Sequence, residues 1–215
     1  LPTLDAIVLS HLHGDHFDRV AKQGLVRDQP VFTTPRAAKR LRAWDFDARG
    51  LDTWQDEVMT RGDETLTVEA LPAIHARGVM GALLPPVMGT LLTHRVGGTT
   101  SRRVYMSGDT LTGDHVDEIA RRHPGIDVAV VHLGGTRVLF HTVTMDAVQG
   151  VDFLRRVRPE VAVPVHYDDY GVFRSPLSDF EARAAEAGMA GLVRTVHRGS
   201  TIPLDPSQSR DVQTD

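Results

Sequence analysis

The sequence predicts an α/β fold, and three observations carry that prediction. Short apolar runs recur along the chain and read as buried strands, among them Ala6–Leu9, Ile126–Leu133 and Val161–Val165. In the second half such runs alternate with helix-like stretches that stop at Gly or Pro. Residues able to do chemistry sit just past the carboxyl ends of these runs, where α/β sheets build their sites.

In chain order, Ala6–Leu9 is the first strand, bounded by Asp5 and Ser10, and Phe17–Gln23 is a short helix after it. Pro30–Thr34 reads as a strand, and Pro35 opens a helix to about Trp44, with Pro at a permitted first-turn position. That helix carries Arg36, Lys39, Arg40 and Arg42, read as a solvated basic face or as a phosphate-binding one. Leu51–Gln55 and Thr65–Ile74 are expected as strands on either side of the turn-like Thr60–Glu64. Gly78–Gly89 is apolar and too broken by Gly and Pro for a helix. It either walls a hydrophobic substrate pocket, with Met80 and Met88 as adaptable surfaces, or simply packs on the sheet.

Gly89–Val96 and Arg103–Met106 read as a hairpin around Gly97–Ser101. Thr112 is the expected cap of a helix to about His123, and Thr144 that of Met145–Val157. Ile126–Leu133 and Val161–Val165 are strands, Ser178–Ala187 a helix ending at Gly188, and Leu192–Val196 a last strand. Residues 1–204 are read as one domain and the polar Asp205–Asp215 as a disordered tail.

Composition narrows the function. The chain has 215 residues, enough for a sizeable core, with 24 Lys+Arg against 28 Asp+Glu for a net charge of -4. Such a balance gives no bulk attraction to nucleic acid or to an anionic membrane. Cysteine is absent, which excludes a disulfide frame and thiolate ligands. No apolar run approaches the roughly 18 residues of a membrane span, and no signal peptide is visible, so a cytoplasmic location is expected.

The densest chemistry lies in His11-Leu-His-Gly-Asp-His16, directly after the first strand. His11 and His13, two residues apart in extended backbone, face one way, while Gly14 lets Asp15 and His16 turn another. The segment can hold two adjacent metal ions, each still short of ligands from elsewhere. Imidazole with carboxylate suits zinc, and less exclusively manganese or iron.

This His-x-His-x-Asp-His pattern after an apolar strand resembles the signature of the metallo-β-lactamase-fold hydrolases. That family adds, in order along the chain, a distant His, a bridging Asp or Cys and a last His. The matching positions are His75 in Leu71-Pro-Ala-Ile-His75, Asp109 in Tyr105-Met-Ser-Gly-Asp-Thr110, and His166 in Val161-Ala-Val-Pro-Val-His166. The resemblance, which runs to about Leu204, implies an αββα four-layer sandwich. It also implies a metal on His11, His13 and His75, a second on Asp15, His16 and His166, and Asp109 bridging the two. Several strands normally precede the first motif, so the resemblance implies an N-terminally incomplete chain. Within the family, Val8–Asp18 and Pro164–Tyr167 resemble the branch of ascorbate-phosphate lactonases and N-acyl-phosphatidylethanolamine phospholipase D-like proteins.

The implied function is dinuclear metal-dependent hydrolysis of an ester, lactone or phosphodiester in a small molecule or lipid. A metal-bridging hydroxide attacks, and Asp15 orients it as the catalytic residue. Two other readings stand beside it: a nucleic-acid-processing nuclease on the same fold, which the negative charge disfavours, and a non-catalytic binding protein, which the complete ligand set disfavours. His132, His141 and Asp168 are candidates to support a ligand or touch substrate, with hydrogen-bonded structural roles as the plainer reading for the two histidines. His94, His115, His123 and His197 read as surface or structural, and the sequence leaves the oligomeric state open.

Overall fold

The computed structural model describes residues 4–78, 81, 83–138 and 141–202. Met80 and the tail 205–215 lie outside the described residues. A three-stranded parallel sheet comes first, from β1 (Ile7–Val8), β2 (Val31–Thr33) and β3 (Ala48–Gly50), with α1 (Arg19–Gly24) and α2 (Pro35–Arg42) in its crossovers. A six-stranded sheet follows in the order β11-β8-β7-β6-β5-β4, namely Val161–Val165, Val128–His132, Thr99–Met106, Met88–Val96, Glu64–Pro72 and Asp56–Arg61. Its helices are α3 (Asp114–Arg122), α4 (Ala147–Val157) and α5 (Leu177–Glu186). A small ribbon, β9 (Arg137–Val138) against β10 (His141–Thr142), follows β8.

Three apolar cores show the layering. Leu9, Phe17, Val31, Ala38, Leu41 and Phe46 join α1 and α2 to the small sheet. Phe32, Leu51, Val68, Ala70 and Met88 fill the space between the sheets. Leu71, Leu91, Tyr105, Ile119, Val131, Phe153, Leu154 and Phe180 join the large sheet to α3, α4 and α5. Neighbouring residues of one strand serve opposite layers, Val31 and Phe32 on β2 and Ala70 and Leu71 on β5, as the period of two requires. The result is the αββα order.

Local signals explain most boundaries. Thr34 caps α2 by accepting from the Ala37 N–H at 3.3 Å, and Pro35 takes the first turn, where its missing N–H costs nothing. The hairpin of β6 and β7 is tighter than the sequence suggests: β7 begins at Thr99, and only Gly97 and Gly98, both at positive φ, make the turn.

Four expectations need correction. Leu51–Gln55 is not a strand, because Trp54 takes φ 71° and Gln55 turns back to donate to the Asp52 carbonyl at 2.9 Å. Leu192–Val196 is reduced to one bridge, Val193 with Ala162, after a 3-10 turn at Ala190–Leu192. Thr112 does not cap α3, whose N-cap is Gly113 without a side-chain bond. Asp146, not Thr144, caps α4 by accepting from the Gln149 N–H at 2.9 Å, while the Thr144 hydroxyl accepts from the Thr136 N–H at 2.8 Å.

Strand direction places the site. β7, β8 and β11 are parallel, and two antiparallel steps from β7 through β6 to β5 restore that direction. The carboxyl ends of β5, β7, β8 and β11 therefore open on one edge of the large sheet. Phe153 is fully buried with its ring 5.4 Å from that of Tyr105, in the core that holds these strands in line. Phe153→Ala should cost about 3–5 kcal/mol, read as a lowered midpoint in urea unfolding.

Candidate metal centre

Every residue of the sequence-derived ligand set lies at or just beyond a strand end. His11 to His16 follow β1, His75 follows β5, Asp109 follows β7 and His166 directly follows β11. The fold brings all seven together in two groups, His11, His13, His75 and Asp109, and Asp15, His16, Asp109 and His166. Within each group the candidate ligand atoms lie within 4.8 Å of one another. Asp109 belongs to both: its Oδ2 is 3.8 Å from His11 Nε2, and its Oδ1 is 3.3 Å from His16 Nε2 and 3.8 Å from His166 Nε2.

In the first group His13 Nδ1 is 2.8 Å from His11 Nε2 and 3.3 Å from His75 Nε2. Nitrogens this close around one point fit a shared cation, since two neutral imidazoles can offer each other only one proton. The His75 Nδ1–H donates to the Val143 carbonyl at 2.8 Å, and that of His166 donates to the Leu133 carbonyl at 3.2 Å. A carbonyl only accepts, so each ring keeps a proton on Nδ1 and turns Nε2 to the centre. Ser10 Oγ lies 3.0 Å from His11 Nδ1 and 3.4 Å from His16 Nδ1, touching one imidazole of each group.

The backbone is specialised here. Gly108 has φ +60°, and a Cβ on it would lie 2.9 Å from the Met88 carbonyl oxygen and 3.1 Å from Ser10 Cβ. Only glycine lets the Asp109 loop approach Ser10 this closely. His166 itself takes φ 62°, a conformation costly for a side chain with a Cβ, and packing on Phe173 at 4.6 Å between ring centroids helps to hold it. Thr110 joins two loops, accepting from the Ile74 N–H at 2.9 Å, one residue before His75.

Electrostatics match a cation site. Burial alone would raise the Asp109 carboxyl, but the imidazoles of His16 and His166 outweigh it and hold the group below the usual carboxylate range. Its hydrogen bond with His166, 3.2 Å from Nε2 to Oδ2, lowers Asp15 to about 2. Burial pushes His11 down to about 2 and His132 down to about 4, so both rings are neutral at physiological pH. Burial would lower His166 too, yet Asp15 and Asp109 together lift it to about 8. Two buried atoms, His16 Nε2 and Asp109 Oδ1, have no hydrogen-bond partner; they lie 3.3 Å apart but are not aligned to bond. Buried polar atoms left this way cost free energy unless something satisfies them, and a divalent cation does so for imidazole nitrogen and carboxylate oxygen alike.

Of the supporting candidates, His132 comes closest: its ring stacks on His16, centroids 5.8 Å apart, and lies 5.8 Å from that of His166. Its backbone N–H donates to Ser107 Oγ at 2.9 Å, and that hydroxyl donates to the Gly108 carbonyl at 3.0 Å, so Ser107 is engaged in structure. Asp168 turns away from His166 and pairs with Arg198 at 2.5 Å, leaving the Leu133 carbonyl to orient the imidazole. His141 is exposed on β10. Ser10 and the carbonyls of Val143 and Leu133 escape sequence reading; a hydroxyl beside the motif was the one available signal.

Comparison with known proteins shows the family. The family profile described as "Beta-lactamase superfamily domain" matches residues 1–167. The chain belongs to that family. Relatives include a UPF0173 metal-dependent hydrolase of Aeropyrum pernix, 28% identical, covering 96% of this chain and 83% of the relative. Another, from Nanoarchaeum equitans, is 22% identical over 90% of this chain and 83% of its own length. Among solved structures, isothiocyanate hydrolase from Delia radicum gut bacteria superposes with TM-score 0.79 at 20% identity, over 94% of this chain and 78% of that one. A metallo hydrolase of Ignicoccus hospitalis gives TM-score 0.69 at 24% identity, over 92% and 78%. At these identities the structural likeness speaks for the superfamily fold alone.

Because His166 in the metal-free protein loses its proton near pH 8, and only the neutral ring offers Nε2, protons compete with a cation there. Apparent metal affinity should therefore climb between pH 6.5 and 8 and level off above, read by competition against a chelator of known affinity at each pH. A flat profile would contradict the charged state of the His166–Asp15 pair.

Proposed function

We propose that this metal-dependent hydrolase of the beta-lactamase superfamily cleaves an ester, lactone or phosphodiester bond of a small molecule or lipid at a centre of two divalent cations. His11, His13 and His75 would hold one cation and Asp15, His16 and His166 the other, with Asp109 placed to reach both. The observation that carries this reading is that Asp109 offers a separate oxygen to each group. Zinc is the first choice for this nitrogen and oxygen set, with manganese or iron next. When bound, such a pair polarises the oxygen under attack and brings the pKa of a coordinated water toward neutrality.

The protein's own groups supply position and proton handling. Asp15 alone of the seven is exposed, at the mouth of the centre, and its carboxylate is ionised at neutral pH. Its Oδ2 lies 3.2 Å from His166 Nε2, a distance at which both groups reach one cation, and its other oxygen is left to accept a hydrogen bond from an incoming water, so Asp15 orients the nucleophile. The carbonyls of Val143 and Leu133 lock the tautomers of His75 and His166, so neither ring has to reorganise during turnover. His132, neutral and stacked on His16, keeps that imidazole in plane. No serine or cysteine nucleophile is required, since Ser107 is committed to structure and the chain has no cysteine.

His13→Ala and His166→Ala should each lower hydrolysis by about a thousandfold or more, as loss of a cation that activates the nucleophile implies, with far-UV circular dichroism retained. The activity is found by screening metal-reconstituted protein on lactones, phosphodiesters and lipids. Elemental analysis should return about two metals per chain; a stoichiometry held firmly at one would remove the spanning role of Asp109.

A further inference from the structure

A second feature adjoins the centre. A cavity of about 450 Å³ is lined by His13, by Arg36 and Arg40 of α2, and by the apolar Phe17, Trp44, Pro85 and Pro86. Its chemistry is divided. Phe17 and Trp44 lie nearly parallel at 15°, ring centroids 6.4 Å apart, and offer an aromatic surface. Lys22 Nζ stands 3.6 Å from the Trp44 ring centroid and the Arg40 guanidinium 5.4 Å from it, so two cations flank that indole. No carboxylate among the described residues pairs with Lys22, Arg36 or Arg40. The chain carries a net charge of -4, and Arg49, Arg61, Arg121, Arg122, Arg156 and Arg198 all have acidic partners. What sets Lys22, Arg36 and Arg40 apart is their proximity: two line the cavity and the third stands on its Trp44, so positive charge is concentrated there.

Resting on the hydrolase reading, we propose that this cavity is the substrate-binding subsite, and that the substrate is an amphiphilic anion: an apolar or aromatic body bearing a carboxylate or phosphate remote from the bond that is cut. The body lies against Trp44, Phe17 and the two prolines. The charged group meets Arg36 in the first turn of α2, where the helix dipole adds to the attraction, and Arg40 one turn further along. Reach supports the arrangement, since His13 belongs to both the cavity wall and the first ligand group. A molecule seated on the indole thus extends its reactive bond toward the centre. The arginines act in binding and specificity and touch no reacting atom. The basic face of α2 is thereby a recognition surface, and Pro85 and Pro86 belong to the same lining.

The test reads binding directly, without turnover. Metal-reconstituted wild-type protein and an Arg36→Gln/Arg40→Gln variant are titrated by isothermal calorimetry with phenylphosphonate, phenylacetate and neutral 2-phenylethanol. Metal content and thermal midpoint are checked to be equal in the two proteins. The anions should bind more tightly than the alcohol, weaken about tenfold in the variant, and weaken comparably in wild type as salt is raised. The tighter of the two anions then names the charged group of the substrate. Equal binding of anions and alcohol, or anion binding that the double substitution leaves unchanged, would overturn the proposal and return Arg36 and Arg40 to a solvated face. The two readings fail separately. Protein that binds these anions and hydrolyses nothing refutes the reaction, while protein that hydrolyses neutral substrates and ignores the anions refutes the subsite.

Discussion

The organising constraint is the burial of one carboxylate. Asp109 is 2% exposed, its Oδ1 has no hydrogen-bond partner, and it is grouped with imidazoles from three separate stretches of chain, at His11–His16, His75 and His166. An ionised carboxylate is far too costly to bury alone, by several kcal/mol at the least. What surrounds it is arranged to compensate. Gly108 permits the close approach, Ser10 and the Leu133 and Val143 carbonyls orient the rings, and His166 accepts a strained backbone to present its Nε2.

The architecture follows from gathering those groups at one place. Short polar segments at strand ends can diverge in sequence while their stems stay parallel, so β5, β7, β8 and β11 deliver His75, Asp109, His132 and His166 to the same edge. The motif after β1 comes from the other sheet. The apolar filling of Phe32, Leu51, Val68, Ala70 and Met88 sets the separation at which the two contributions meet. Packing far from the chemistry thus determines distances within it.

The sequence discloses this site unevenly, for physical reasons. His11 to His16 are legible because their geometry is local: a strand, an i, i+2 pair and a glycine turn. His75, Asp109 and His166 look like any polar residue after a strand, and resemblance to a family was needed to single them out. Leu51–Gln55 and Leu192–Val196 misled because burial of a few apolar residues does not make a strand; Trp54 at φ 71° breaks the first, and a lone bridge to Ala162 is all that orders the second. Caps were misassigned by one or two residues, since Thr112, Thr144 and Asp146 can all cap and the choice depends on tertiary partners. Partners that are backbone carbonyls leave no mark in a sequence at all.

The centre straddles a seam. Under the proposed ligand set, four of its seven side chains follow the small sheet and three the large one, so a bound cation fastens the two halves of the sandwich across their interface. Whatever binds the assembled form alone adds to its stability by mass action, about 2.7 kcal/mol at a hundredfold excess over its dissociation constant. Durability of the protein then tracks the free metal in its surroundings, and scarcity would loosen the scaffold as well as silence the chemistry.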